Sequence, residues 1–327
     1  MTRATHNNRT AKNRIAKSQR SSHRRSNLLA ILIAFVAVSV LYLNFDSTLS
    51  GADADADISR VTAAVAEPVI AMRPGAESSG KPGSSNDGEV SGRIALLLNL
   101  LLLEKGRDRF AKVSGYTATF YKKERVAGTD LDGQVMRVKM RHRPFSVYMK
   151  WLVGDKGREL LYVDGKNNGK IIVKVGGVKG RLLPALKLDP TGSLAMKESR
   201  YPVTMAGLLR LSETLIGYRR NELHAEGGTH CRMIDNQQFN KRPCYCFIVT
   251  YDSPAASKEY RKSITFLDKE LLMPVCVKNY GWPVGEAAGD LDKTTLIEHY
   301  AYTNIRVTQQ LADSDFARSN RNYHFRR

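Results

Sequence analysis

The sequence is short of the residue patterns that announce chemistry. Its four cysteines, Cys231, Cys244, Cys246 and Cys276, include no Cys-x-x-Cys pair, and no histidine cluster accompanies them. Dithiol redox chemistry and a zinc site are therefore not expected. Gly-x-Ser-x-Gly, His-Glu-x-x-His and a glycine-rich phosphate loop ending in Lys are also missing, which removes the commonest hydrolase, zinc-protease and nucleotide-binding signatures. Asp313 and Asp315 lack the further oxygen donors of a calcium loop and read as a turn or cap. No metal or cofactor is implied, and no solenoid or propeller repeat is visible.

Charge is unevenly spread. Residues 1–27 hold eight Lys/Arg and no acid, residues 44–92 hold three basic and eight acidic residues, and residues 93–327 hold 40 basic and 24 acidic, net +16. Between the first two lies LLAILIAFVAVSVLYL, residues 28–43, with no charge. Sixteen residues make about 24 Å of helix, a little short of the roughly 30 Å hydrocarbon core; Phe45 and bilayer thinning can supply the rest. The basic flank predicts that residues 1–27 stay in the cytoplasm and the remainder is exported. The segment at 28–45 is a signal anchor or a cleaved signal peptide. No Cys follows it, which excludes a lipoprotein anchor. The expected location is the inner membrane, single-pass, with the C-terminal domain in the periplasm, or free in the periplasm after cleavage. Topogenic charge accounts for the basic tail, so nucleic-acid binding is not expected. Residues 46–92, with ADADAD and PGAESSGKPGSSNDGE, lack the apolar content to offset ordering entropy and read as a disordered linker.

The folded domain is expected over 93–327. RIALLLNLLLLEKGRDRFAKV predicts a helix over 93–113, after which the apolar period falls to two. Met136, Val138 and Met140 alternate with Arg137, Lys139 and Arg141; Phe145, Val147, Met149 and Trp151 share a face. GRELLYVDGKNNGKIIVKV reads as two strands around a tight turn. A second helix, over 203–219, carries Leu208, Leu211, Leu215 and Tyr218 on one stripe. About five strands follow, ending in TTLIEHYAYTNIRV, and DSDFARSNRNYHF reads as a capped turn and tail. The pattern predicts an α+β, mostly β fold: a strongly bent antiparallel sheet, a half-open β-barrel with helices on its concave side. One sheet face is expected to be apolar and the other basic and wet.

FYKKERVAGTDLDGQVMRVKMRHRPFSVYMKWL, GRELLYVDGKNNGK, LDPTGSLAMKESRYPVTMAGL, LMPVCVKNYGWP and LIEHYAYTNIRV resemble family 1571 among the bacterial domains of unknown function, from about Leu96 to Phe325. One departure is Asn320-Arg321, where the family is expected to have Asn-Pro. The layout is similar to the outer-membrane lipoprotein carrier (LolA-like) fold, which implies binding of lipid or acylated partners; fold analogy does not by itself fix function.

The leading expectation is a membrane-tethered extracytoplasmic domain that holds or senses a lipid or acylated ligand on the apolar face of Met136, Val138, Met140, Phe145, Val147, Met149, Trp151, Leu208, Leu211 and Leu215. Met suits a deformable surface. Lys122, Lys123, Arg125, Arg137, Lys139, Arg141 and Arg143 form a basic face suited to docking on an anionic membrane surface. Cys231 and Cys246 are placed to close a disulfide across a hairpin near Phe239, with Cys244 as the alternative and free buried thiols as the other reading. His142 has no identifiable nucleophile or orienting acid beside it, and Glu298-His299 point to opposite faces of a strand, so neither makes a catalytic pair. The alternative functions are an envelope protein-interaction or sensor module with a packed barrel, and an enzyme with a scattered site.

Overall fold

Alternating apolar and polar residues do build strands, and the strands join one sheet. The computed structural model describes residues 89–325 apart from 181, 226, 286–288, 309–310 and the side chain of Lys179. The expected cytoplasmic tail, hydrophobic segment and linker to residue 88 lie outside the described residues. Among those described, no helix is long and apolar enough to cross a membrane.

Thirteen strands form the sheet: β1 (Glu89–Ser91), β2 (Gly115–Val126), β3 (Thr129–Asp130), β4 (Gln134–Arg141), β5 (Ser146–Val153), β6 (Glu159–Val163), β7 (Ile171–Lys174), β8 (Leu186–Leu188), β9 (Thr229–Phe239), β10 (Arg242–Tyr251), β11 (Lys262–Asp268), β12 (Pro274–Tyr280) and β13 (Leu296–Thr308). Their order is β1-β9-β10-β11-β12-β13-β2-β4-β5-β6-β7-β8, with β3 paired to β2. Neighbours are antiparallel, and the sheet is open, with β1 and β8 at its edges. β2 is central because it pairs both β13 and β4, so the last long strand lies beside the first.

Two long helices lie on one face. α1 (Gly92–Phe110) ends three residues before its expected limit. α2 (Leu208–His224) starts five residues later than expected, because Val203–Met205 forms a separate 3-10 turn and Gly207 takes φ 105°, a conformation costly for any side chain. The helices run antiparallel. Arg93 Nη1 donates to the Leu223 carbonyl at 3.0 Å, and Ser212 Oγ to the Leu103 carbonyl at 3.4 Å. Gly106 of α1 faces the turn at Leu272; a Cβ there would fall on the Leu272 carbonyl.

Under the helices the interior is filled. Leu96, Leu103, Leu215 and Ile216 pack with Met233, Phe247, Val249 and Val277. Leu208 and Phe110 pack with Tyr116, Phe120, Met136, Val138, Met140, Val147, Met149 and Trp151. The predicted alternation on β4 and β5 is therefore present, and leucine-rich helices occupy the face it creates.

The reverse face departs from the expected wet basic surface. The C-terminal segment returns across it, a 3-10 turn at Asp313–Phe316 leading to Tyr323 and Phe325, and these aromatics bury Tyr148, Leu161, Val163 and Ile172. Of the proposed docking residues, Arg141 is buried, donates to Asp313 at 2.7 Å and lies over the Phe316 ring. Lys139 donates to Asp315 at 2.7 Å. Lys122 is tied to Glu124, and Arg125 is bidentate on Asp130. Arg137 and Arg143 remain exposed. Lys122, two residues from Phe120 on β2, lies on the helix side instead; periodicity places Arg137, Lys139 and Arg141 of β4 on the reverse face but carries no signal that a distant segment covers it.

The disulfide expectation is also corrected. Asn240 and Lys241, both at positive φ, make a two-residue turn between β9 and β10. The turn pairs Phe239 with Arg242, and a bulge at Asp235–Asn236, where Asn236 takes positive φ, then shifts the register by one residue, setting Cys231 opposite Val249 and Cys246 opposite Ile234. Cys231 then packs on the helix side, and Cys246 on the reverse with Cys244 and Cys276. Cysteines on opposite faces of a sheet cannot bridge. All four are free and buried. Burial pushes the Cys231 thiol up to about 11 and those of Cys244, Cys246 and Cys276 to about 12. At about pH 8, where an ordinary thiol is partly ionised, the folded protein is expected to give no reaction with Ellman's reagent, and all four thiols to react in strong denaturant. Rapid labelling of a native thiol would contradict the burial.

Candidate functional site

Two clefts open beside α2. The first lies where its N-terminus meets the end of β4. Tyr116, fully buried on β2, accepts a hydrogen bond at 2.8 Å from the Leu208 backbone N–H, one of the donors that a helix start leaves unpaired. Burial pushes its phenol well above the ordinary range, so it stays neutral. Phe110 and His142 pack around it, with ring centroids 5.4–6.0 Å apart.

His142 follows β4. Its Nδ1 lies 2.8 Å from the Val113 carbonyl, which fixes the proton on Nδ1. Nε2 is shielded from water and has no hydrogen-bond partner. Burial lowers the imidazole pKa, so the ring is neutral and Nε2 is an unsatisfied acceptor. It borders a slot of about 170 Å³ walled by Met140, Phe145, Ala206, Gly207 and Leu209. Arg143, Arg210 and Glu213 complete the lining. Arg210 donates to Glu213 at 2.8 Å and lies over the Phe145 ring at 6.0 Å. At about 30 Å³ per water, the slot has room for five or six water-sized groups.

Of the ten apolar residues expected to meet a ligand, Met140 and Phe145 line this slot. Met136, Val138, Val147, Met149, Trp151, Leu208 and Leu215 are packed in the interior, and Leu211 is partly buried against it. His142, which reads in sequence as a polar strand end, is at the slot because Phe110 and Tyr116 draw its ring inward. Its position directly after an alternating strand was the available signal.

The second cleft, of about 410 Å³, is polar and lined by Val126, Ala127, Ser199, Arg200, Tyr201, Tyr218 and Glu259. Behind it, Glu124 on β2 and Glu298 on β13 face each other across the sheet, both nearly inaccessible. Directly opposed like charges destabilise a sheet unless something intervenes. Here the Tyr300 hydroxyl does, donating to Glu124 Oε1 at 2.5 Å and lying 3.3 Å from Glu298 Oε2. Glu298 also accepts from Asn279 Nδ2 at 2.6 Å, Tyr260 at 3.0 Å and Arg200 Nε at 3.0 Å. Burial raises the Glu298 pKa, against the lowering by these partners. Arg200 is also bonded to Glu259 and to the Arg125 carbonyl, and its backbone N–H donates to Glu124 Oε2 at 3.2 Å. Burial opposes its charge, but the carboxylates outweigh burial and hold it protonated. Every carboxylate oxygen of the pair is engaged, so the network reads as a clamp fixing residues 198–201 to the sheet. His299 points the other way, toward Cys276 and Tyr121, as expected for its strand position. Among the described residues no group of three or more His, Cys, Asp or Glu is arranged to hold a metal ion.

No curated protein matches the sequence. Among solved structures, the chain is similar to the Mycobacterium tuberculosis lipoprotein LppX, at 11% identity over 68% of this chain and 99% of that one, with a TM-score of 0.38. It is similar to the Pseudomonas aeruginosa MucA/MucB complex structure at 14% identity, 67% and 60% coverage and a TM-score of 0.38. A LolA superfamily protein from Nitrosomonas europaea is 11% identical over 66% of this chain and 96% of its own, with a TM-score of 0.26. With TM-scores under 0.5, these are likenesses of layout. The family model described as protein of unknown function (DUF1571) matches residues 113–325, from the approach to β2 through Phe325, and the chain belongs to that family.

Proposed function

We propose that this is a binding domain for an amphiphile, with an acyl chain end in the slot beneath the start of α2 and a polar head at His142, Arg143 and Arg210. The observation that carries the reading is the unpartnered, shielded Nε2 of His142, whose ring lines a slot with a mainly apolar wall and charged groups at Arg143, Arg210 and Glu213. A buried acceptor without a donor is costly, about 1–3 kcal/mol, and a ligand hydroxyl or protonated carboxyl removes the cost. In this reading the sheet bends around α1 and α2 as a half-open barrel, and the domain works outside the cytoplasmic membrane, tethered or released at residues 28–45. Because the interior is filled, the slot admits a few methylenes of one chain.

The test is calorimetric titration of straight-chain fatty acids of increasing length. Affinity is expected to rise about fourfold per methylene, from about 0.8 kcal/mol per buried CH₂, and to level off once the slot is full. Ala206→Trp, which places an indole in the slot, is expected to cut affinity at least tenfold, on the order of 1.4 kcal/mol, while the urea midpoint is little changed. A protein that binds no fatty acid, or an Ala206→Trp variant that binds as well as wild type, would overturn the reading. A second reading, contact with an envelope protein, is favoured by Ile94, Leu97 and Leu101, 65%, 41% and 59% exposed on one stripe of α1. An amphiphile-free protein held in a complex that Leu101→Asp dissolves would select it.

A further inference from the structure

The loop from β7 to β8, at the edge of the sheet, holds a cluster of exposed aliphatic side chains among the described residues. Val178 is 78% exposed and Leu182 88%, with Leu183 and Leu186 also exposed. The loop is not slack. The Gly177 N–H donates to the Lys156 carbonyl at 3.1 Å, Gly180 sits so close to the Val175 carbonyl that a Cβ would collide with it, and the buried Lys174 ammonium donates to the Leu183 carbonyl. Gly177, Gly180 and Leu183 are held by these contacts while Val178 and the leucines face solvent. The charge around them is mainly positive: Lys170 is paired with Asp189 at 2.9 Å and Lys174 is buried, while Lys166 and Lys187 have no acid within residues 165–188. Residues 165–188 contain Lys166, Lys170, Lys174, Lys179, Arg181 and Lys187 and no Asp or Glu, and Lys156 is exposed on the adjoining turn.

We infer that this loop is a docking surface for an anionic phospholipid bilayer, its aliphatic side chains entering the headgroup–acyl boundary and its lysines meeting lipid phosphates. Aliphatic side chains among cations are the composition of an interfacial membrane contact. A protein-binding patch is instead depleted in Lys and enriched in aromatic residues, and residues 165–188 contain no aromatic residue. A second copy of the chain would bring the same positive charge against itself. The surface replaces the reverse sheet face, whose Lys139 and Arg141 are engaged by the C-terminal segment. It is independent of the slot.

The experiment uses the full chain with Leu182→Cys labelled by an environment-sensitive fluorophore; the native thiols are buried and leave the label selective. The protein is reconstituted in phosphatidylcholine vesicles, with or without phosphatidylglycerol, carrying a spin-labelled lipid quencher. With phosphatidylglycerol, blue-shifted emission quenched by the labelled lipid is expected, and high salt should reverse both. Lys156→Glu/Lys187→Glu is expected to lower the docking equilibrium at least fivefold per lysine, about the weight of one basic residue at an anionic surface. Water-like emission in phosphatidylglycerol vesicles would overturn the inference. So would a blue shift that the lipid quencher does not touch, which would identify a protein contact instead.

Discussion

Arg200→Met is expected to lower folding stability by about 3–5 kcal/mol, the range for removing one partner of a buried ion pair. The carboxylate it leaves, Glu298, has a side chain only 3% exposed and faces Glu124 across the sheet. The same substitution frees the Arg125 carbonyl and Glu259 from their guanidinium contacts. Against a typical total of 5–15 kcal/mol, this is a large share. The pH dependence distinguishes an uncompensated charge from lost packing. Glu298 has a folded-state pKa already raised by burial. A raised carboxyl contributes stability that is present below its unfolded pKa and lost as pH rises through the folded value. Without Arg200 the folded value moves higher still, so the deficit of Arg200→Met should shrink as pH is lowered toward about 4.3, the ordinary Glu pKa. Urea midpoints at several pH values read this directly. Arg200→Met/Glu298→Gln should recover part of the loss at neutral pH, and a deficit independent of pH would count against the clamp.

Phe325→Ala should cost about 3–5 kcal/mol, the usual cost of emptying a buried phenylalanine site. Phe325 is fully buried although it lies close to the chain end, edge-on to Tyr148 and Tyr323, with centroids 6.4 and 6.1 Å away. Beside it the His324 N–H donates to the buried Glu159 carboxylate at 2.7 Å, and His324 Nδ1 lies 2.8 Å from the same group. Deleting residues 313–327 would strip three aromatics from the sheet and leave Glu159 with the 3.5 Å contact to Lys150. Soluble expression should then fail, whereas Phe325→Leu, which keeps most of the buried volume, should stay within about 1.5 kcal/mol of wild type. A melting temperature unchanged by Phe325→Ala would show that the segment does not cover the sheet in solution.

Local patterns were legible and remote ones were not. The alternation of Met136, Val138 and Met140 with cations has period two, so a strand with a buried apolar face could be read from nine residues. The two helices were readable from length and leucine content, with ends misplaced where Gly207 and a 3-10 turn intervened. The Tyr323–Phe325 cover was not readable, because nothing near Lys139 or Arg141 encodes a segment more than 170 residues away. Glu298 and Glu124 are separated by 174 positions, and only the pairing of β13 with β2 brings them together. The Cys231–Cys246 pairing fails for a finer reason: the bulge at Asp235–Asn236 adds one residue to β9 and so moves Cys231 to the face opposite Cys246. In sequence His142 lacks catalytic partners, whereas its relevance in the fold comes from Nε2, an atom left without any partner.

Both described edges of the sheet are three residues long: β1 at one end and β8 at the other. Each offers too few free backbone groups to template an added strand along its length. A partner meeting either of these two strands would therefore have to be gripped through side chains.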